Sequence, residues 1–193
     1  MRYLVKLSAS AVSCALLSLA LALSPVAAQQ RADQDFRPQV SEPAYGAGEG
    51  PLVLIDEAHN NFHTATGRYA PFAKLLSADG YRVEGLNGSL NSEALAEAKV
   101  LVIANPLSER NRSRAILPTY SAFSAEEIAT IEAWVRDGGS LLLIADHMPW
   151  GGAAARLADA FGFLFADGFA LVRGGGGASR FAADGGLATD HPV

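Results

Sequence analysis

Three apolar stretches of the sequence are each followed by residues that could bind a ligand or transfer a proton. The third stretch leads into Asp146 and His147, which place a carboxylate and an imidazole side by side. Three of the four histidines of the chain fall in these segments. This concentration predicts a ligand-binding site. Its candidate residues are Asp56, Glu57, His59, Asn60, Asn105, Asp146 and His147.

The apolar stretches themselves predict the strands that position these residues. Leu52–Ile55, Val100–Ala104 and Leu141–Ala145 are short, continuous apolar runs. Such runs are typical of strands that are buried on both faces of a parallel sheet. Tyr81–Glu84 alternates more weakly and predicts an outer strand.

Helical patterns lie between the runs. The clearest begins at Ser124, where Glu127 three residues later completes a capping box, and it ends at Gly138. Alternating strands and helices predict a doubly wound, mostly parallel α/β sheet of the flavodoxin-like kind. Ligands of such sheets bind beyond the carboxyl ends of the strands. The other predicted helices are a segment around Phe72–Leu76 that ends at Gly80, a short helix over Glu93–Ala98, and a helix over Ala153–Phe161.

A metal site is an alternative use of the same residues. His59 and His63 are four residues apart, so a helical turn would place both imidazoles on one face. Asp56 or Glu57, with Asp146 or His147 from a neighbouring strand, could complete a site for Zn²⁺ or Mn²⁺. Glu57 or Asp146 could then act as the general base of a hydrolase. The other interpretation is that the carboxylates cap local turns and the histidines form ordinary hydrogen bonds. We adopt that one and expect no cofactor.

The first residues predict a cleaved export signal. Arg2 and Lys6 form a positive start, Ala9–Leu23 is almost entirely apolar, and Val26–Ala28 supplies small residues for signal peptidase. The apolar run is short for a membrane span. We therefore expect cleavage near Ala28, a periplasmic or secreted protein, and no stable membrane span in the mature chain.

The domain boundaries follow from that leader. Residues 1–28 are the predicted signal peptide, residues 29–50 a flexible spacer, and residues 51–193 the α/β domain. Cys14 is the only cysteine and lies within the leader, so the mature chain would contain none.

Composition limits the classes of partner. Half of the 193 residues are apolar, which supports one globular domain with a core. The 15 basic and 20 acidic residues give a net charge of −5, so we expect no nucleic-acid partner. A small molecule or an envelope protein remains as the expected partner.

Four segments in their order carry a family resemblance: Val53–Asn60, Val102–Pro106, Phe123–Pro149 and Asp190–Val193. With them the chain resembles the class I glutamine amidotransferase-like superfamily and, more narrowly, the bacterial domain-of-unknown-function family 4350. The resemblance runs from Leu52 onward and implies the same α/β fold. In similar domains the last segment leads into a further strand, so the resemblance implies that this domain is truncated at its C-terminus or lacks that element.

The resemblance does not extend to the chemistry of the amidotransferases. Those enzymes carry a nucleophilic cysteine after the strand that here ends at Ala145, and Asp146 stands at that position. Their thioester intermediate needs a thiolate. We therefore expect no glutamine amidotransferase activity.

The sequence predicts a non-catalytic, exported domain that binds a sugar or a small acidic molecule, or serves as a scaffold. Trp150 could stack on a sugar face in such a site, although a half-buried tryptophan that covers the start of a helix is commoner. The alternatives are a metal-dependent hydrolase and a protein-interaction domain. Fold analogy carries much of this prediction, and fold alone does not determine function.

Overall fold

The structure is a computed structural model that describes residues 31–113 and 117–170. From Ala32 onward these residues belong to one compact unit. The predicted leader, residues 1–28, and the Asp190–Val193 segment of the resemblance lie outside the described residues. None of the described helices is long and apolar enough to cross a membrane.

Four parallel strands form the sheet and confirm the predicted fold class. They are β1 (Leu52–Asp56), β2 (Arg82–Leu86), β3 (Ala98–Ala104) and β4 (Ser140–Ile144), in the spatial order β2-β1-β3-β4. The helices are α1 (Ala70–Ala78), α2 (Ser92–Leu95), α3 (Ala125–Arg136) and α4 (Trp150–Ala160), and a 3₁₀ turn spans Glu109–Asn111. The result is an α/β fold with flavodoxin-like, doubly wound topology.

The sheet is covered on both faces because successive residues of a strand point to opposite sides. On one face Val53 and Ile55 of β1 pack with Phe72 of α1. On the other face Leu54 packs with a core cluster that includes Leu157 of α4. The second cluster also includes Leu101 and Ile103 of β3 and Ile131 of α3.

Local sequence signals set the ends of the helices. The Ser124 hydroxyl accepts a hydrogen bond from the Glu127 N–H (3.1 Å), and the Glu127 carboxylate accepts one from the Ser124 N–H (3.0 Å). This is the predicted capping box at the start of α3. Gly80 follows α1 with φ +94°, a conformation that residues with a Cβ rarely adopt.

The burial of β4 differs from the prediction. Its sequence predicts a strand buried on both faces, but Leu142 is 43% exposed. β4 is an edge strand, and no other described strand lies beyond it. Leu142 pairs with Val102, so its side chain lies on the face of the sheet that α1 covers. Helix α1 packs against β2, which is the edge strand at the other side of the sheet. This part of the face is therefore open in the described structure.

Part of the predicted spacer contacts the domain. The Ala44 N–H donates to the Asp79 carboxylate (2.8 Å), and the Gly50 N–H donates to the Gly80 carbonyl (2.9 Å). The rings of Tyr45 and Tyr81 meet edge to face with centroids 5.1 Å apart. Residues 44–50 thus lie against the end of α1 within the same compact unit.

Candidate functional site

The topology brings the ends of three strands to one edge of the sheet. The chain passes from β1 to β2 on one side and returns to β3 on the other, so the strand order reverses between β1 and β3. Asp56 is the last residue of β1, and Asn105 directly follows β3. The carboxyl edge at such a switch point is where doubly wound proteins bind ligands.

Asn105 joins the loops that leave these strands. Its N–H donates to the Ile144 carbonyl at the end of β4 (2.8 Å), and its side-chain oxygen accepts from the Asp146 N–H (3.2 Å). Its carbonyl accepts from the Phe62 N–H (3.0 Å) in the loop after β1. Asn105 is 1% exposed and has φ +47°, a left-handed conformation that asparagine tolerates better than most residues. One buried residue therefore links the loops, through its backbone and its side chain together.

The imidazole of His59 is held between two carboxylates. Its Nδ1 lies 2.9 Å from both carboxylate oxygens of Asp56, and its Nε2 lies 3.2 Å from Oε1 of Glu127. Asp56 is completely buried and His59 is 8% exposed. The ring also lies against Phe123, with centroids 4.5 Å apart. We call Asp56, His59 and Glu127 the His59 clamp.

Other donors complete the bonding of the clamp carboxylates. The Ala58 N–H (3.2 Å) and the Asn61 amide (3.0 Å) donate to Asp56. The N–H groups of Leu90 (3.3 Å) and Ser124 (3.0 Å) donate to Glu127. Every charge in this buried network is therefore paired and hydrogen-bonded, as charges away from water must be.

The clamp favours the protonated imidazole. Burial acts to lower the pKa of His59, but the hydrogen bonds and charges of Asp56 and Glu127 outweigh it and raise that pKa. Burial acts to raise the pKa of Glu127, but the Ser124 N–H and His59 outweigh it and lower that pKa. In the protonated ring both nitrogens donate to carboxylates, so neither is left to bind a metal or accept a proton.

Two predicted site residues point elsewhere. The Glu57 carboxylate accepts from the Ala65 N–H (2.8 Å) and lies so close to Gly85 that a Cβ there would be 2.7 Å from it. The Asn60 amide donates to the Glu109 carboxylate (3.0 Å). Glu57 therefore packs over β2, and Asn60 ties its loop to the 3₁₀ turn.

A row of six ring side chains borders the same edge of the sheet, and we call it the aromatic rim. Consecutive centroids are 4.5 to 5.2 Å apart, so each ring contacts the next. In spatial order the rim consists of Tyr69, His63, Phe62, Trp150, His147 and Phe169. Rings that meet in this way form a stable, largely apolar surface.

A cavity of about 310 Å³ adjoins the rim. Asp146, His147 and Phe169 are among its lining residues, and the first two side chains are 45% and 39% exposed. Asp146 accepts a hydrogen bond from the His147 N–H (2.8 Å). Gly151 also lines the cavity, where a Cβ would lie 2.4 Å from the Ala166 carbonyl oxygen. The volume lies at the lower end of the range for small-molecule sites.

The surroundings of His63, the other histidine of the predicted metal set, favour the neutral imidazole because they lower its pKa. Burial lowers the pKa of His63, the charge of Asp146 acts against that change, and Arg68 adds to it. Its buried Nδ1 has no hydrogen-bond partner among the residues that the structure describes.

The predicted ligand set does not fit a metal. The part of the chain that the structure describes contains no group of three or more suitable side chains. Carboxylates engage both nitrogens of His59, one of the two histidines on which the predicted set depends, and zinc needs at least three protein ligands. We therefore derive no step through a metal.

The structure adds residues that sequence reasoning missed. Glu127 was expected only to cap α3, yet it also binds His59, 68 residues away. Phe62, Tyr69 and Phe169 join the rim without any motif that marks them. Trp150 was the one rim aromatic that the sequence suggested.

Fold and site together define a doubly wound α/β protein with a candidate small-molecule site at its switch point. Comparisons with protein-family models, with curated proteins and with solved structures gave no match. The resemblance to the amidotransferase-like superfamily and to family 4350 therefore stays a prediction from the sequence.

Proposed function

We propose that the protein is a non-catalytic binding domain for a small, neutral, polyhydroxylated ligand such as a sugar. The observation that carries this proposal is the aromatic rim next to the exposed carboxylate of Asp146. Aromatic faces accommodate the apolar faces of sugar rings, and a carboxylate accepts hydrogen bonds from hydroxyl groups. The cavity beside His147 has room for such a ligand.

The ring-nitrogen contacts support binding rather than catalysis. Both nitrogens of His59 contact carboxylates, and Nδ1 of His147 lies 2.6 Å from the Met148 carbonyl oxygen. Within residues 31–113 and 117–170, no side-chain hydroxyl is hydrogen-bonded to a histidine nitrogen. A hydroxyl nucleophile is commonly activated by such a pair.

Charge favours a neutral ligand over an acidic one. An acidic ligand in the cavity would lie beside the Asp146 carboxylate, which repels it. The guanidinium of Arg68 lies over the Phe62 ring, 3.7 Å from its centroid, rather than among the residues that line the cavity. We therefore propose a neutral sugar as the first candidate ligand and a small acidic molecule as the second.

We also propose that the domain works outside the cytoplasm as a member of the amidotransferase-like superfamily without its reaction. The predicted leader supports export, and the doubly wound sheet is compatible with that superfamily. N-terminal sequencing of the protein recovered from its native cells tests the first part, because cleavage near Ala28 would leave Gln29 as the first residue.

The binding proposal is tested by calorimetric titration of neutral saccharides into the mature protein. We expect saturable binding that Asp146→Asn weakens about tenfold, as loss of a charged hydrogen-bond acceptor predicts. Asp137→Asn is the matched control, because Asp137 is an exposed carboxylate just before β4, at the end of the sheet where the strands begin. Failure of every neutral saccharide to bind would overturn the proposal.

The same preparation tests the alternative of a metal-dependent hydrolase. Elemental analysis that found about one zinc or manganese ion per chain, lost in His63→Ala, would favour that alternative. Binding of a saccharide to protein free of both metals would favour the proposal.

A further inference from the structure

A second, larger groove lies away from the carboxyl edge. It encloses about 760 Å³ between the chain segment 34–38 and helix α1. Its walls are mostly apolar: Phe36 and Pro38 form one side, and Ala70 and Ala73 of α1 form part of the other. The helix offers small side chains here, so the segment that crosses it leaves the groove unfilled.

Among the described residues that line this groove, the charged ones are two cations. Lys74 donates to the Gln34 carbonyl (2.5 Å), and Arg37 donates to the carbonyls of Gln34 (3.2 Å) and Phe36 (3.0 Å). No carboxylate in the described part of the chain pairs with either cation. The two carboxylates of the same segment, Asp33 and Asp35, are not among the lining residues.

Both cations retain donors for a ligand. An ammonium group has three N–H donors, and Lys74 uses one of them. A guanidinium has five, and the hydrogen bonds of Arg37 involve Nη1 alone. In a chain with 20 acidic and 15 basic residues, a groove with two cations and no acid is complementary to an anion.

We propose that this groove binds a free small carboxylate with an apolar body, such as a medium-chain alkyl or aryl carboxylate. Lys74 and Arg37 hold the carboxylate, and the body lies along Phe36 and the alanines of α1. Burial of the body contributes affinity in proportion to the apolar area removed from water. This site is independent of the aromatic rim and of the sugar proposed there.

Calorimetric titration of octanoate into the mature protein tests the proposal, with butyrate and 1-octanol as comparison ligands. We expect saturable binding of octanoate and binding at least tenfold weaker for the other two, which lack the body or the charge. Lys74→Gln should weaken octanoate binding about tenfold. Lys99→Gln is the matched control, because Lys99 is exposed on β3 and outside the groove.

A second variant keeps the test decisive if Lys74→Gln unfolds. Ser77 is exposed and lines the groove, so Ser77→Phe should obstruct it and weaken octanoate binding while the melting temperature changes little. Three results would each overturn the proposal: no saturable octanoate binding, equal binding of octanoate and 1-octanol, or equal weakening in the Lys74 and Lys99 variants.

Discussion

Removal of the His59 imidazole should destabilise the protein more than removal of any other histidine ring in the described structure. His59→Ala leaves the completely buried Asp56 carboxylate without its counter-ion. Removal of one partner from a buried ion pair typically lowers the free energy of unfolding by about 3–5 kcal/mol.

The remaining bonds of the carboxylates place the expected loss near the lower limit of that range. Asp56 keeps the Ala58 N–H and the Asn61 amide, and Glu127 keeps two backbone N–H donors. We therefore expect a loss of about 3 kcal/mol, which for a domain of this size lowers the melting temperature by roughly 6–12 °C.

The clamp also predicts the sign of a pH dependence. The pKa of His59 is raised above its ordinary value of 6.5 in the folded protein. Its contribution to stability is therefore complete below about pH 6.5 and is lost as the pH rises through the raised pKa. His59→Gln cannot carry this charge, so its stability should vary less with pH across the same interval.

Urea unfolding of the wild type, His59→Ala and His59→Gln at pH 6 and pH 9 measures both effects. His147→Ala is the control, because the His147 ring is 39% exposed and its loss should change the free energy of unfolding by less than about 1 kcal/mol. A His59→Ala loss below 1 kcal/mol, or the same pH dependence in His59→Gln and the wild type, would refute the account of the clamp.

Substitutions in three other parts of the scaffold are tested by equilibrium unfolding. Ser124→Ala removes the capping box of α3 and should lower the free energy of unfolding by about 1 kcal/mol, and an unchanged value would contradict the capping role. Asn105→Gly should be less destabilising than Asn105→Ala, because glycine adopts the positive φ of 47° freely; the reverse order would disprove backbone strain at this position. Leu142→Ala should lower the free energy of unfolding by less than about 1 kcal/mol, because Leu142 is 43% exposed. Leu101→Ala should lower it by about 2–5 kcal/mol, because Leu101 is fully buried. Equal losses of unfolding free energy would show that β4 is covered in solution.

Much of the fold could be predicted because its signals are local. The capping box of Ser124 and Glu127 lies within four residues, and Gly80 alone marks the end of α1. Apolar runs likewise indicated all the central strands. The exposure of Leu142 could not be predicted in this way, because it depends on which elements lie beside and above β4 rather than on the sequence of β4 itself.

The candidate site likewise has features that local sequence signals predict and features that they do not. Strand ends were located from the sequence because parallel strands direct their carboxyl ends to one edge. The side-chain partners within the site could not be located in this way. Glu57 lies next to Asp56 in the chain, but its side chain is packed over Gly85 of β2. The carboxylate that joins Asp56 at His59 is instead Glu127, and no spacing rule connects residues 68 positions apart.

Fluorescence of Trp150 tests the central claim most directly. The chain has two tryptophans. Trp134 lies in α3 and packs against the buried core cluster, so the Trp134→Phe variant leaves Trp150 as the only indole. We expect a neutral saccharide to change the Trp150 emission saturably, and we expect Asp146→Asn to shift the midpoint of that titration about tenfold. Emission that stays constant while calorimetry records saccharide binding would place the ligand elsewhere and contradict the account.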